Sequence, residues 1–277
     1  MIQNIENRRR VMKLGGASEI TIPLTFIAKE TANITFTINS GVPTTNVEYV
    51  EYSLDNGANW TKVNNVDNTE VIVTIPTLQA KQSVQMRGKA TAYGVNYVVL
   101  SKFAITNKVE AYGNIMSLLN PDFKNLDEVS YRCFISMFQD CIGLERPPLL
   151  PATKLNGECY SGMFKSTYIR TAPELPAIEL ASGCYGTMFN DCPYLTETPI
   201  LKAKTLKYEC YRDMFQTCPN LNKVTMLATD ISASDCLTNW MNQVAPTGTF
   251  IKNPAMTTLP TGNNGIPSGW TVQDYAG

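Results

Sequence analysis

The sequence predicts an all-β N-terminal sandwich, then a mixed α/β solenoid, then a loop-rich C-terminal cap. In the C-terminal half a short phrase occurs four times and begins a fifth, opened by cysteines spaced 26, 25, 26 and 26 residues apart. Upstream, short alternating strands are separated by turn signals. A fixed period of this length is typical of solenoids. The opening cysteines are Cys133, Cys159, Cys184, Cys210 and Cys236.

Each phrase predicts a short helix followed by an extended segment. In the second copy, Cys159, Met163 and the adjacent aromatic residues recur at four-residue spacing, which favours a two-turn helix over 159–167 with one apolar face. The Pro-x-Leu-Pro segment that opens at Pro173 ends the helix and predicts an extended chain. One repeat cannot bury its own apolar face, so stacked repeats are expected to share a core.

The predicted repeat core combines the opening cysteine, the methionine and the phenylalanine of each phrase. The aromatic residues that follow the opening cysteines, Phe134, Tyr160, Tyr185 and Tyr211, predict a buried column; an exposed row would instead suit stacking on sugar rings. The predicted core residues are Cys133, Met137, Phe138, Cys159, Met163, Phe164, Cys184, Met188, Phe189, Cys210, Met214, Phe215 and Cys236.

The phrase resembles a known repeat family. Met188-Phe189-x-x-Cys192-x-x-Leu195 and the Pro-x-Leu-Pro segments are similar to BspA-type leucine-rich repeats, and the Cys-Tyr-x-x-Met-Phe variant is typical of proteins of gut bacteria and their phages. The tail over 239–272 is similar to the end of that group, so the resemblance covers roughly residues 112–277. The chain departs from the pattern at Thr167, where a cysteine is expected, and at Thr225, where a proline is expected. The resemblance implies a leucine-rich-repeat-like solenoid, a recognition scaffold and a virion-associated protein.

The predicted domain boundaries follow these patterns. Strands are expected near 20–26, 34–38, 47–52, 71–75 and 83–90, and their spacing predicts an immunoglobulin-like or fibronectin-like sandwich, with a hairpin signal at Asp55-Asn56-Gly57. The predicted parts are an arm over 1–18, the sandwich over 19–106, a junction and first cap over 107–132, the solenoid over 133–236 and the C-terminal cap over 237–277.

The N-terminal arm is basic. Arg8, Arg9, Arg10 and Lys13 give it a local positive charge, which fits either a solvated tail or a docking arm that inserts into a larger assembly. The segment has no apolar central region and no small-residue cleavage site, so it is not expected to be a secretory signal.

Composition argues against several classes of function. The net charge is −1 and histidine is absent, which disfavours nucleic-acid binding and the commonest forms of general-base and metal chemistry. No catalytic motif, metal-ligand pattern or cofactor motif is present, so no catalytic residue, metal or cofactor is predicted. The eight cysteines all lie in the repeats and are expected to be buried free thiols, with disulfides between neighbouring repeats as the alternative.

The predicted function is recognition. We expect a non-enzymatic structural protein of a phage particle (a capsid decoration, head fibre or tail adhesin), localised in the virion and forming a homo-oligomer. Its N-terminal part would contact other virion proteins and its solenoid a host surface protein or glycan; neither nucleic acid nor membrane insertion is expected. The alternatives are a bacterial cell-surface adhesin and, third, a glycan hydrolase with a carboxylate pair. The candidate recognition residues are Lys165, Tyr168, Arg170, Glu174, Tyr194, Glu197, Lys204, Tyr208 and Arg212.

Overall fold

The computed structural model describes residues 19–276. The predicted arm residues Arg8, Arg9, Arg10 and Lys13 lie outside this range. Within it the protein is mostly β, with three short 3-10 helices at Glu19–Thr21, Ile115–Leu118 and Phe123–Asn125. The strands are β1 (Leu24–Ala28), β2 (Ile34–Ile38), β3 (Val47–Ser53), β4 (Thr61–Asn64), β5 (Val71–Thr74), β6 (Ser83–Ala90), β7 (Lys102–Ile105), β8 (Val109–Tyr112), β9 (Glu128–Val129), β10 (Leu144–Arg146), β11 (Lys154–Leu155), β12 (Glu197–Leu201), β13 (Lys223–Met226), β14 (Gly248–Lys252) and β15 (Trp270–Asp274).

The N-terminal part consists of two sheets whose buried faces meet. One sheet has the order β10-β8-β1-β6-β3-β4 and the other β5-β2-β7. Phe26 of β1 packs edge-on against Phe103 of β7, with ring centroids 5.1 Å apart. The predicted hairpin joins β3 to β4, and Asn56 and Gly57 both adopt positive φ, as an Asn-Gly turn requires.

The larger sheet runs directly into the solenoid. Strand β8 pairs antiparallel with β1 on one side and parallel with β10, which belongs to the first repeat, on the other. Buried Glu19 stabilises this junction, because its carboxylate accepts hydrogen bonds from Arg146 at 3.0 and 3.1 Å and from the Gly113 N–H. The Arg146 guanidinium also lies over the Tyr112 ring. The two parts therefore share one continuous ladder.

The predicted solenoid is confirmed, but its predicted helices are wrong. Each phrase is a run of turns, and residues with positive φ recur every fourth position, as at Glu158, Gly162 and Ser166 in the second phrase. A right-handed helix cannot contain left-handed residues at this frequency. The apolar residues are spaced by four because four residues is the period of this run of turns, a value close to the helical period of 3.6.

Alternate peptide groups join one coil to the next. In the second coil the N–H groups of Glu158, Tyr160, Gly162, Phe164 and Ser166 donate to carbonyls of the third coil over 2.8–3.0 Å. The intervening N–H groups, such as that of Met163, bond three residues back within their own coil. The first, third and fourth coils repeat this five-bond pattern. Every second amide is thus satisfied only by a neighbouring coil.

Aromatic side chains form two columns inside the stack. Phe134, Tyr160, Tyr185 and Tyr211 stack with centroids 5.8–6.3 Å apart, and Phe138, Phe164, Phe189 and Phe215 do so at 5.6–5.8 Å. All thirteen predicted core residues lie in the buried cluster with them. Offset stacking of this kind adds about 0.5–1.5 kcal/mol per pair beyond area burial.

Both columns are closed at each end by residues outside the four phrases. Tyr93 and Phe103 stack on Phe134 and Phe138, and their N–H groups donate to the carbonyls of Cys133 and Met137. Trp240, which replaces the methionine in the fifth phrase, contacts both columns at the other end. The two residues that cover the first coil, Tyr93 and Phe103, therefore lie in the predicted sandwich (19–106) and not in the predicted first cap (107–132).

Tyr160 offers a test of the column. Its hydroxyl is buried and has no hydrogen-bond partner among the described residues, whereas Phe134 fills the same position in the first coil without a hydroxyl. Tyr160→Phe should raise the free energy of unfolding by about 1 kcal/mol, because an unsatisfied buried hydroxyl is removed. Denaturant unfolding measures this, and Tyr185→Phe is the matched control with a smaller expected gain. A loss of stability in Tyr160→Phe would contradict the assignment.

The left-handed positions predict opposite effects of two substitutions. Gly183 has φ +63° and a Cβ there would lie 3.1 Å from Glu158 Cγ, so Gly183→Ala should lower the free energy of unfolding by about 1 kcal/mol. Thr187 holds a β-branched side chain at φ +54°, so Thr187→Gly should raise it by about 0.5 kcal/mol after the entropic cost of glycine. Helical phrases would reverse the second sign, because glycine destabilises a helix.

Candidate functional site: an exposed tyrosine–arginine surface on the solenoid

A one-residue shortening of the second coil creates the candidate site. The Arg170 N–H donates to Glu145 O just as the Asn222 N–H donates to Thr196 O, so Arg170 occupies the position of Glu145 in the neighbouring coil. Ile169 is fully buried, as Leu144 and Leu195 are at the corresponding position. The residue missing from the 25-residue spacing is therefore lost in the turn just after Thr167. This brings Tyr168 into line with Tyr194.

Tyr168 and Tyr194 form an exposed aromatic pair. Their ring centroids lie 5.1 Å apart at an interplanar angle of 79°, and the side chains remain 40% and 44% exposed. The guanidinium carbon of Arg170 lies 5.1 Å from the centre of the Tyr194 ring, and an Arg170 nitrogen lies 3.6 Å from a carboxylate oxygen of Glu145. We call Tyr168, Tyr194 and Arg170 the tyrosine–arginine surface. It offers aromatic faces, two phenol groups and a cation.

The other predicted recognition residues do not join this surface in the contacts of the described chain. Glu174 lies 3.9 Å from Lys202, and Glu197 lies 3.0 Å from Lys223 in the next coil. Lys165 and Lys204 serve the ladder through their carbonyls, which accept N–H groups from Asp140 and from Thr229 and Asp230. Tyr208 and Arg212 instead share the carboxylate of Glu209, which pairs with Arg212 and raises the pKa of Tyr208 by hydrogen bonding.

A second aromatic cluster was missed by sequence reasoning. The Arg132 guanidinium carbon lies 5.1 Å from the Tyr97 ring centre and 4.7 Å from that of Tyr131, and Arg132 Nε lies 2.8 Å from Glu158. Desolvation, followed by hydrogen bonding to Glu158, raises the pKa of Tyr97 to about 12. The sequence contains only a weak indication of this cluster: Tyr131 lies two residues before Cys133, just as Tyr208 lies two residues before Cys210.

The cysteines serve the core. All eight are buried and free. The second cysteine of a phrase reaches the phenylalanine carbonyl of the preceding coil, with Cys192 Sγ 3.1 Å from Phe164 O and Cys218 Sγ 3.0 Å from Phe189 O. At Thr167, which stands where a cysteine is expected, the hydroxyl donates to Phe164 O at 2.7 Å, a bond within its own coil and unlike that of the cysteines. Burial raises the pKa of Cys133 to about 12 and that of Cys192 to about 11.

No cluster of three or more histidine, cysteine, aspartate or glutamate side chains within residues 19–276 is arranged to hold a metal ion. Among the same residues no helix is long and apolar enough to cross a membrane. Comparisons with protein-family models, curated proteins and solved structures found no match to this chain.

The raised pKa values of the buried thiols predict that the free energy of unfolding depends on pH. Their folded pKa values lie above the ordinary value of 9.0, so above about pH 9 the unfolded chain releases protons that the folded chain retains. The free energy of unfolding should therefore fall steadily from pH 9 toward pH 12. Denaturant melts at several pH values measure this, with Cys133→Ala expected to show a shallower fall. A stability that is flat over this range would contradict neutral buried thiols.

Proposed function

We propose that this protein is a non-enzymatic recognition scaffold that binds its partner through the tyrosine–arginine surface. The observation that carries the proposal is the exposed Tyr168–Tyr194 pair with Arg170 beside it. Tyrosine and arginine dominate binding hot spots because they provide large contact area together with polar groups. Each tyrosine is followed by a fully buried residue, Ile169 or Leu195, and the Arg170 N–H bonds the preceding coil, which limits the conformational entropy lost on binding.

We further propose a place for it in a phage particle, as a capsid decoration, head fibre or tail adhesin. The support is the resemblance of its phrases to BspA-type leucine-rich repeats of the gut-bacterial and phage variant. In this proposal the N-terminal two-sheet part is an immunoglobulin-like anchor for other virion proteins, assembled as a homo-oligomer. The solenoid is the displayed part and meets a host surface protein or glycan.

Binding to intact host-type cells tests the recognition proposal. Fluorescently labelled protein is titrated onto gut bacterial cells, and Tyr168→Ala and Tyr194→Ala should each weaken binding by about 10-fold or more, which corresponds to a hot-spot loss of at least about 1.4 kcal/mol. Tyr208→Ala is the matched control, since Tyr208 is similarly exposed but lies in the Glu209–Arg212 cluster. Equal losses in all three variants would place the contact elsewhere.

The location is tested separately. Mass spectrometry of gradient-purified phage particles should find the protein at a fixed ratio to the major capsid protein. Recovery solely from the bacterial cell surface would overturn the virion proposal and favour the adhesin alternative.

A further inference from the structure

The C-terminal end of the ladder leaves donors without acceptors. In the fourth coil, Phe215 and Thr217 donate their N–H groups to Trp240 O and Asn242 O, each at 2.9 Å. The equivalent groups of the fifth coil belong to Met241 and Gln243, and neither has an acceptor among residues 19–276. The N–H of Leu237 in the same coil also has no acceptor among these residues. The end of the ladder therefore offers a row of donors to an oxygen-bearing partner.

Residues 261–269 supply a sixth coil only in part. The Asn264 Oδ1 atom accepts the Asn239 N–H at 2.9 Å, and Gly265 O accepts the indole N–H of Trp240 at 2.9 Å. These contacts satisfy the centre of the fifth coil. Beyond them, on the side of Met241 and Gln243, the chain turns away and does not complete the row.

A cavity lies where the row is incomplete. It has a volume of about 270 Å³, and its walls include Met241, Gln243, Val244, Pro246, Asn263 and Ser268. None of its lining residues carries a charge, so it does not select an ion by charge pairing. The lining combines apolar side chains and prolines with Met241 and Gln243, the two residues whose N–H groups lack acceptors among the described residues. The cavity suits a small neutral group with one strong acceptor and an apolar substituent.

We propose that this cavity binds an amide group, whose carbonyl oxygen accepts from the N–H of Met241 or Gln243 while its methyl or methylene group packs against Val244 and Pro246. The amide takes the place that a sixth-coil peptide carbonyl would occupy in the ladder. Two sources carry this chemistry: the acetamido group of an N-acetylated sugar and the backbone of a peptide. This proposal does not depend on the tyrosine–arginine surface, and each can be tested without the other.

An NMR titration of the full chain tests the proposal. Amide proton and nitrogen resonances are followed while N-acetylglucosamine, glucose or N-acetylglycine methylamide is added. The Met241 and Gln243 amide protons should move downfield in a saturable way with N-acetylglucosamine and not with glucose, which lacks the amide. The Phe215 and Thr217 resonances, whose acceptors are already in place, should stay fixed and serve as internal controls.

The outcomes assign the source or overturn the site. Saturable shifts with N-acetylglycine methylamide but not with N-acetylglucosamine would support an amide site that takes its ligand from a peptide. Shifts of equal size with glucose, or no saturable shift at Met241 and Gln243 with either amide, would overturn the proposal.

A filled cavity provides the second test. Ser268→Phe places a ring in the cavity wall and should abolish the saturable shift, while Thr271→Phe, on the exposed part of β15, should keep it. Retained binding in Ser268→Phe with an otherwise unchanged spectrum would overturn the site. If Ser268→Phe perturbs the fold, the comparison of N-acetylglucosamine with glucose on the unmodified chain decides.

Discussion

The solenoid depends on a hydrogen-bond arrangement in which every second amide of a coil donates to the coil that follows. A left-handed residue at each fourth position turns successive peptide groups so that one set points along the stack and the other closes turns within the coil. Five amides per coil have no partner in their own coil, so in an isolated repeat they could bond only water, and the apolar side chains of the shared core would be exposed. The repeats are therefore expected to be stable only as a stack.

Side-chain packing follows from this backbone arrangement. In-register stacking brings the rings at identical positions of successive coils to centroid distances of 5.8–6.0 Å, within the range of offset stacking. The small thiols are buried in the same cluster as the rings, and the second thiol of a phrase also contacts a carbonyl of the neighbouring coil. Termination needs large rings at both ends, and Tyr93, Phe103 and Trp240 provide them. The two-sheet part therefore also covers the first coil of the solenoid.

The sequence was sufficient to predict the period, the shared core and the buried thiols, because these depend on which side chains recur. It did not identify the backbone conformation, because a four-residue spacing over nine residues is close to the helical period. The distinguishing signal was the residue type at the left-handed positions, where Asp140, Gly162, Asp191, Asp213 and Asn239 are types that tolerate positive φ. Closure of the stack by Tyr93 was not predictable, since nothing around that residue resembles a repeat. Tyr168 and Tyr194 were each candidates, but only the turn shortened after Thr167 brings them together.

The most direct test of this account is a measurement of scalar couplings across hydrogen bonds in the second coil. The account predicts a coupling between the amide nitrogen of Tyr160 and the carbonyl carbon of Cys184, and another between Phe164 and Met188. A coupling from the Met163 amide to the Cys159 carbonyl, four residues back, would show that the phrase is helical and would contradict it.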